Sequence, residues 1–219
     1  MNNAMNSVAT RAYYIRARGL FLIIFGLLSG CALPTPPARP AVFDFGPGAI
    51  STPAPAQARH APLAVAEFEA SAALDSNAML YRLAYVNVQQ LQPYALARWT
   101  MPPAQLLRQR LREQLGQRRA LLNPGDGGPG AAAAPLTLRV ELEEFSQLFE
   151  TPDQSVGLLR LRATLVQPGP GGEKWVAQRS VSVQRPAPSA DAPGGVRALT
   201  AASEAAVQEI EAWLQRLAP

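Results

Sequence analysis

The 219-residue chain carries 20 Lys and Arg against 16 Asp and Glu, a formal charge of +4. Three of the basic residues, Arg11, Arg16 and Arg18, precede an apolar run near the N-terminus, and without them 17 basic residues face 16 acidic ones. A near-neutral chain with no long basic run argues against nucleic-acid binding, which neutralises many phosphates at once. The densest basic stretch, "QRLREQLGQRR", spreads its charges around a helix and includes Glu113, as a solvated helix face does.

The apolar run Leu20 to Leu28 is shorter than the roughly 20 residues a membrane-spanning helix needs and has the length of a signal-peptide core. Arginines stand ahead of it, no acidic residue occurs before Cys31, and the small residues Ser29 and Gly30 close it. This predicts an export signal over residues 1–30. Leu28-Ser29-Gly30-Cys31 resembles the lipobox of bacterial lipoproteins, in which the cysteine thiol is diacylated, the chain is cut before it and the new amine is acylated too. That resemblance makes Cys31, the only cysteine, the first mature residue and the bearer of acyl chains such as palmitate. A single cysteine has no disulfide partner within the chain, and the proline-rich segment that follows is a poor core site. Several acyl chains, at about 0.8 kcal/mol per buried methylene, hold a soluble domain on a membrane.

Residues 31–61 read as a Pro/Ala-rich tether, because repeated prolines remove amide donors and leave little apolar surface to bury. One island, Phe43-Asp44-Phe45-Gly46, alternates aromatic and polar residues and is expected to add a short edge strand at 42–46. The folded domain is assigned to residues 62–218, a length suited to one domain. "PLAVAEFEA" alternates as a strand, "AMLYRLAYVNV" reads as a strand apolar on both faces except for Arg82, and the turn chemistry of Asp75, Ser76 and Asn77 between them predicts a hairpin.

"TMPPAQLLRQRLREQLG" predicts a helix, with prolines in its first turn and Leu107, Leu111 and Leu115 spaced by four, widened by Leu106. Gly116 either ends it or sits in its last turn, and "ALLN" is expected to form a short strand before the loop "PGDGGPGAAAAP". "PLTLRVELEEFSQLF" is a strand with Leu136, Leu138, Val140 and Leu142 on one face. Its phase slips at Glu144, as one extra residue in a bulge would cause. "SVGLLRLRATLVQ" and "KWVAQRSVSVQ" read as a hairpin across "PGPGGE". In the last segment Leu199, Ala202, Ala206, Ile210, Trp213 and Leu217 make one amphipathic helix. Each element has a single apolar face to bury, so the expected fold is α+β, a mostly antiparallel sheet with two amphipathic helices packed on one face.

Material for catalysis is scarce. His60, the only histidine, lies among Pro, Ala and Arg in the tether, and no His or Cys cluster offers an ordinary zinc site. Glu141, Glu143 and Glu144 are the residue types that hold a hard cation, but Glu141 and Glu143 alternate with core leucines and read as a solvated strand face. Gly125 to Gly130 matches G-x-G-x-x-G literally, yet Pro129 and Pro135 leave no room for the helix that a dinucleotide site requires. No catalytic, metal or cofactor site is therefore expected. Tyr81, Tyr85, Tyr94 and Trp99 stand out instead. Core packing is their default role, but Pro93-Tyr94 and Arg98-Trp99 read as a connection, where aromatics often serve binding.

From this segment outward the pattern resembles the ABC-type transport auxiliary lipoproteins. A lipobox is followed by "FDFG", a strand ending in Tyr81-Arg82, Tyr94, Arg98-Trp99, a leucine helix opening on Pro102-Pro103, a long strand reaching Phe145, a hairpin, and an Ala-rich helix bearing Trp213-Leu214. The similarity runs from about Phe43 to Leu217 and rests on scattered positions. It implies a non-enzymatic, lipid-anchored partner on the periplasmic side of a Gram-negative outer membrane. There it would serve an ABC transporter and a mammalian-cell-entry (MCE) protein that move phospholipid or other hydrophobic molecules between membranes. Ala32 after the cysteine resembles the outer-membrane sorting signal. Candidate partners are the membrane, the MCE protein, the transporter subunits, phospholipid and further copies of the chain, with Tyr81, Arg82, Tyr94, Arg98 and Trp99 as candidate contacts. On this reading Trp99→Ala should weaken complex formation more than folding. A scaffold or activator of another envelope machine is the second reading. A lipid-handling enzyme relying on His60 is the third.

Overall fold

The computed structural model describes residues 38–48, 60–126 and 134–217. The expected signal sequence, Cys31, most of the tether and the last four residues of the G-x-G-x-x-G match lie outside the described residues. The centre of the fold is the strand in which the sequence alternates most regularly, Leu136–Phe149. Leu138, Val140 and Leu142 are buried while Arg139 and Glu141 are exposed. Between Leu142 and Glu144 its register against the next strand shifts by one residue, after which Phe145 occupies the core face. That is the bulge expected from the phase slip.

In chain order the strands are β1 (Ala41–Phe43), β2 (Leu63–Val65), β3 (Glu69–Ala70), β4 (Ala78–Leu83), β5 (Val88–Trp99), β6 (Leu121–Leu122), β7 (Leu136–Phe149), β8 (Ser155–Gly169) and β9 (Gly172–Pro186). The helices are α1 (Ala84–Asn87), α2 (Pro103–Gly116) and α3 (Ala192–Leu217). All nine strands join one mixed sheet. β8 runs antiparallel to β7, and β9 antiparallel to β8 as the expected hairpin. On its other side β7 takes three short parallel partners in succession: β2 at Leu136 to Leu138, β3 at Glu141 and Leu142, and β4 at Gln147 to Phe149.

The hairpin expected between "PLAVAEFEA" and "AMLYRLAYVNV" is therefore not formed. Both segments advance along one long strand instead, with the turn near Asp75 carrying the chain from β3 to β4. The true antiparallel pair is β4 with β5, turned by the single helical turn α1. The sequence pattern predicts a strand straight through those four residues, where the chain instead makes one turn of helix.

The compact unit begins at Arg39, ahead of the expected boundary at residue 62. β1 pairs parallel with the last three residues of β5, and the chain then turns at Gly46 (φ 69°), whose amide donates to Asp44 Oδ1 at 2.8 Å. Phe45 drops into the core, and Arg110 on α2 donates to the carbonyls of Phe45 and Gly46 at 2.8 and 2.9 Å.

Both long helices cover the same sheet face and touch each other, Gln114 Nε2 donating to Glu211 Oε2 at 3.0 Å and Arg118 pairing with Glu211 at 3.1 Å. α2 has Pro103 in its first turn, where a missing amide costs nothing, and buries Leu106, Leu107, Leu111 and Leu115. Gly116 is its last residue, so it sits in the final turn. α3 is capped by Asp191, whose Oδ1 accepts the Gly194 amide at 2.7 Å. It buries Leu199, Ala202, Ala206, Ile210 and Trp213, while Leu217 remains exposed at the helix end. Each fully buried Leu, Val or Phe contributes about 1.5–3 kcal/mol relative to exposure, so this one-sided burial holds the two layers together. No described helix is long and apolar enough to cross a membrane.

Candidate functional site

The five residues singled out as candidate contacts lie on β4 and β5, and their surroundings differ. Tyr81 and Tyr94 come together on the helix-facing side, ring centroids 4.7 Å apart, with Phe149 6.1 Å from Tyr81. Tyr81 Oη donates to Gln92 Oε1 at 3.0 Å. Tyr94 Oη donates to Gln147 Oε1 at 2.8 Å, and Gln147 Nε2 donates to Ser155 Oγ at 2.8 Å. Gln147 and Ser155 are buried, so this chain satisfies polar groups that water does not reach. Burial first, then the neighbouring Tyr81 and Asp191, push the Tyr94 phenol above its ordinary range, which keeps its proton available to Gln147. Asp191 moves the opposite way, the Ser189 hydroxyl and the Gly194 amide holding its carboxyl below the usual range.

Arg82 projects from the other face of β4. Its guanidinium holds Glu144 through Nε–Oε1 at 3.3 Å and Nη2–Oε2 at 2.9 Å, a two-pronged charge-assisted contact. Nη1 donates to the carbonyls of Val88 and Gln89 at 3.2 and 3.3 Å. Glu144 Oε1 also accepts from the buried Ser146 hydroxyl at 2.7 Å. Glu144 is thus a buried ion-pair partner. Glu141 and Glu143 do face solvent, both pairing with Arg162.

Trp99 requires a correction. It is 1% exposed, edge-on to Phe45 at 5.7 Å and tilted against Phe145 at 5.6 Å. Because β5 runs unbroken from Val88 to Trp99, the supposed connection is a strand, and the indole is core with no face for a partner. Pro93, whose missing amide marks a connection in the sequence, is accommodated within β5. It sits where only β4 flanks β5, since β1 begins pairing at Ala97, and an unpaired edge needs no amide donor there. Arg98, between the buried Ala97 and Trp99, is exposed on the opposite side of the sheet.

What the sequence reading missed is the tip at α1. Tyr85, Val86 and Val88 are 47, 68 and 51% exposed, three apolar side chains within four residues. The tip is braced from beneath by Arg82 and by the Gln89 amide, which donates to Asn87 Oδ1 at 3.0 Å. A segment apolar on both faces was visible in the sequence, but pairing on both sides would have buried it.

Elsewhere, a polar cleft beside α2 is lined by Glu67, Gln105, Arg108, Arg112 and Glu113. Arg108 is engaged there by Glu67 at 2.9 Å and by the Ala66 carbonyl at 3.0 Å. No group of three or more His, Cys, Asp or Glu side chains is placed to hold a metal among the described residues. His60 sits ahead of β2, its amide donating to the Arg118 carbonyl at 3.2 Å.

The family model for the ABC-type transport auxiliary lipoprotein component matches residues 44–211, from the turn after β1 to the last turns of α3. The chain belongs to that family. As a member it is a lipoprotein component associated with an ABC transport system. Among solved structures, the protein XCC0632 from Xanthomonas campestris is similar at 23% identity and a TM-score of 0.60, covering 82% of this chain and 94% of its own. A second crystal structure, of an uncharacterized protein, matches at 16% identity and a TM-score of 0.55 over 80% of this chain and 99% of that one. At these identities the likeness establishes the shared fold. No curated protein matches the sequence.

Proposed function

We propose that this auxiliary lipoprotein is a non-catalytic component of an ABC transporter and MCE system that moves phospholipid or another hydrophobic molecule between membranes. Acyl chains on Cys31 anchor it at the outer membrane, facing the periplasm. The observation that carries this reading is the family match over residues 44–211, downstream of a lipobox-like Leu28-Ser29-Gly30-Cys31. The internal chemistry agrees with it. Arg82, Glu144, Tyr94 and Gln147 each meet fixed partners inside the fold, so the groups most suited to reactivity serve structure. Of the candidate contacts, Arg98 is exposed on the sheet face away from the helices, and a protein partner meets the domain there. Tyr81 and Tyr94 shape the sheet beneath such a contact.

Anchoring and function can be tested together in a strain lacking the gene. The wild-type protein should restore detergent resistance, and Cys31→Ser, which cannot be acylated on sulfur, should not. Full restoration by a soluble Cys31→Ser protein would contradict the anchored role.

A further inference from the structure

Eight large hydrophobic side chains are exposed among the described residues, and five of them, Val42, Tyr85, Val86, Val88 and Leu96, lie on β1, α1 and β5. Three of these crowd the α1 tip, where Arg82 fixes the backbone carbonyls of Val88 and Gln89. An exposed apolar segment that is braced from within the fold is a built feature of the surface.

The direction of the chain says what this feature meets. β1 runs parallel to β5, Ala41 opposite Ala97 and Phe43 opposite Trp99, so the chain reaches β1 from the side on which β5 begins, the side of α1. The five steps of β5 from Pro93 to Arg98 oppose only the two of β4 from Leu80 to Ala78, so from Val88 to Ala97 the strand advances roughly 20 Å. Cys31 lies ten residues ahead of Ala41, a segment that spans at most about 35 Å when extended. The segment ahead of Ala41 is long enough to cover that distance. A bilayer holding acyl chains on Cys31 is therefore within reach of the tip, and a short leash confines the domain to that neighbourhood.

We infer that Tyr85, Val86 and Val88 seat in the headgroup region of the bilayer that holds the acylated Cys31, fixing how the domain stands on its membrane. The inference rests on the anchoring reading above. A tip of three partly exposed side chains offers far less than the about 800 Å² per partner of a stable protein interface, which favours lipid over protein as the occupant. Acylation already supplies the membrane encounter, so a small apolar contact suffices to set orientation. Tyr85 suits the interface, with an apolar ring and a hydroxyl for the headgroups.

The test uses the full acylated chain in phosphatidylethanolamine/phosphatidylglycerol vesicles containing brominated lipid. Because Cys31 is the only cysteine and acylation consumes its thiol, Val86→Cys and Ser180→Cys each offer one free thiol for an environment-sensitive fluorophore. Both native side chains are exposed, and unchanged thermal melts would verify that the fold is retained. The label at position 86 should shift to the blue and be quenched by brominated lipid, while the label at 180 should emit as in water. Water-like emission at 86 on protein that still floats with the vesicles would overturn the inference and leave the anchoring reading standing. Protein that does not float and carries a second label at Cys31 would overturn both. A blue shift at 86 that appears only on adding purified transporter and MCE protein would assign the tip to a protein partner and overturn the lipid contact.

Discussion

Arg82 ties three strands together with one side chain, reaching Glu144 on β7 and the Val88 and Gln89 carbonyls at the start of β5 while rooted in β4. Its side chain is 18% exposed and that of Glu144 9%, so removing one partner strands a charge in a poorly solvated place. Arg82→Ala should therefore destabilise the domain by about 3–5 kcal/mol in denaturant melts. Arg82→Met with Glu144→Leu should lose clearly less than the two single variants summed. Additive losses would show that the pair is not coupled. Trp99 offers a second contrast. Trp99→Ala should cost about 3–5 kcal/mol through the cavity left between Phe45 and Phe145. Trp99→Phe should cost much less, because the indole Nε1 is buried without a hydrogen-bond partner and its removal also removes that penalty. A stable Trp99→Ala domain that had lost only its partners would return the residue to the binding surface. At this scale the sequence revealed apolar identity but not environment. Trp99 and Tyr85 belong to one aromatic-rich segment, yet one is core and the other is a tip. The difference is made by β1, which arrives from over fifty residues away to cover one end of β5 and not the other.

The elements with the strongest local signal were the most legible. α2, α3, β7 and the hairpin of β8 and β9 follow from the spacing of their leucines, valines and alanines. The bulge near Glu144 follows because a strand cannot change its buried face without an extra residue. The parallel additions of β2, β3 and β4 to β7 left no local mark, since short strands carry too few residues to specify a partner. Gly157 shows how such packing is written in a single position. It lies on β8 beneath the backbone of Ala198 and Leu199, where a Cβ would come within 2.6 Å of main-chain atoms. Gly157→Ala should force α3 away from the sheet and destabilise the domain by about 1–3 kcal/mol, measured by thermal melts. A neutral substitution would mean that α3 is not seated closely on β8.

For the molecule as a whole, the nine-stranded sheet of the described residues carries two long helices on one face and leaves the α1 tip and most of the other face, apart from the buried Glu144 and Ser146, exposed. The family match over residues 44–211 connects that domain to ABC transport, and the lipobox-like segment ahead of it supplies a proposed anchor. The fold alone would not have led to this role, because a mixed sheet with two helices serves many purposes. The most direct measurement is affinity purification of the intact, acylated protein from its own membranes, with mass spectrometry of the co-purifying proteins and extracted lipids. An MCE protein together with ABC transporter subunits is the predicted recovery. Recovery of a lipopolysaccharide-assembly or peptidoglycan-synthesis machine in their place would contradict it.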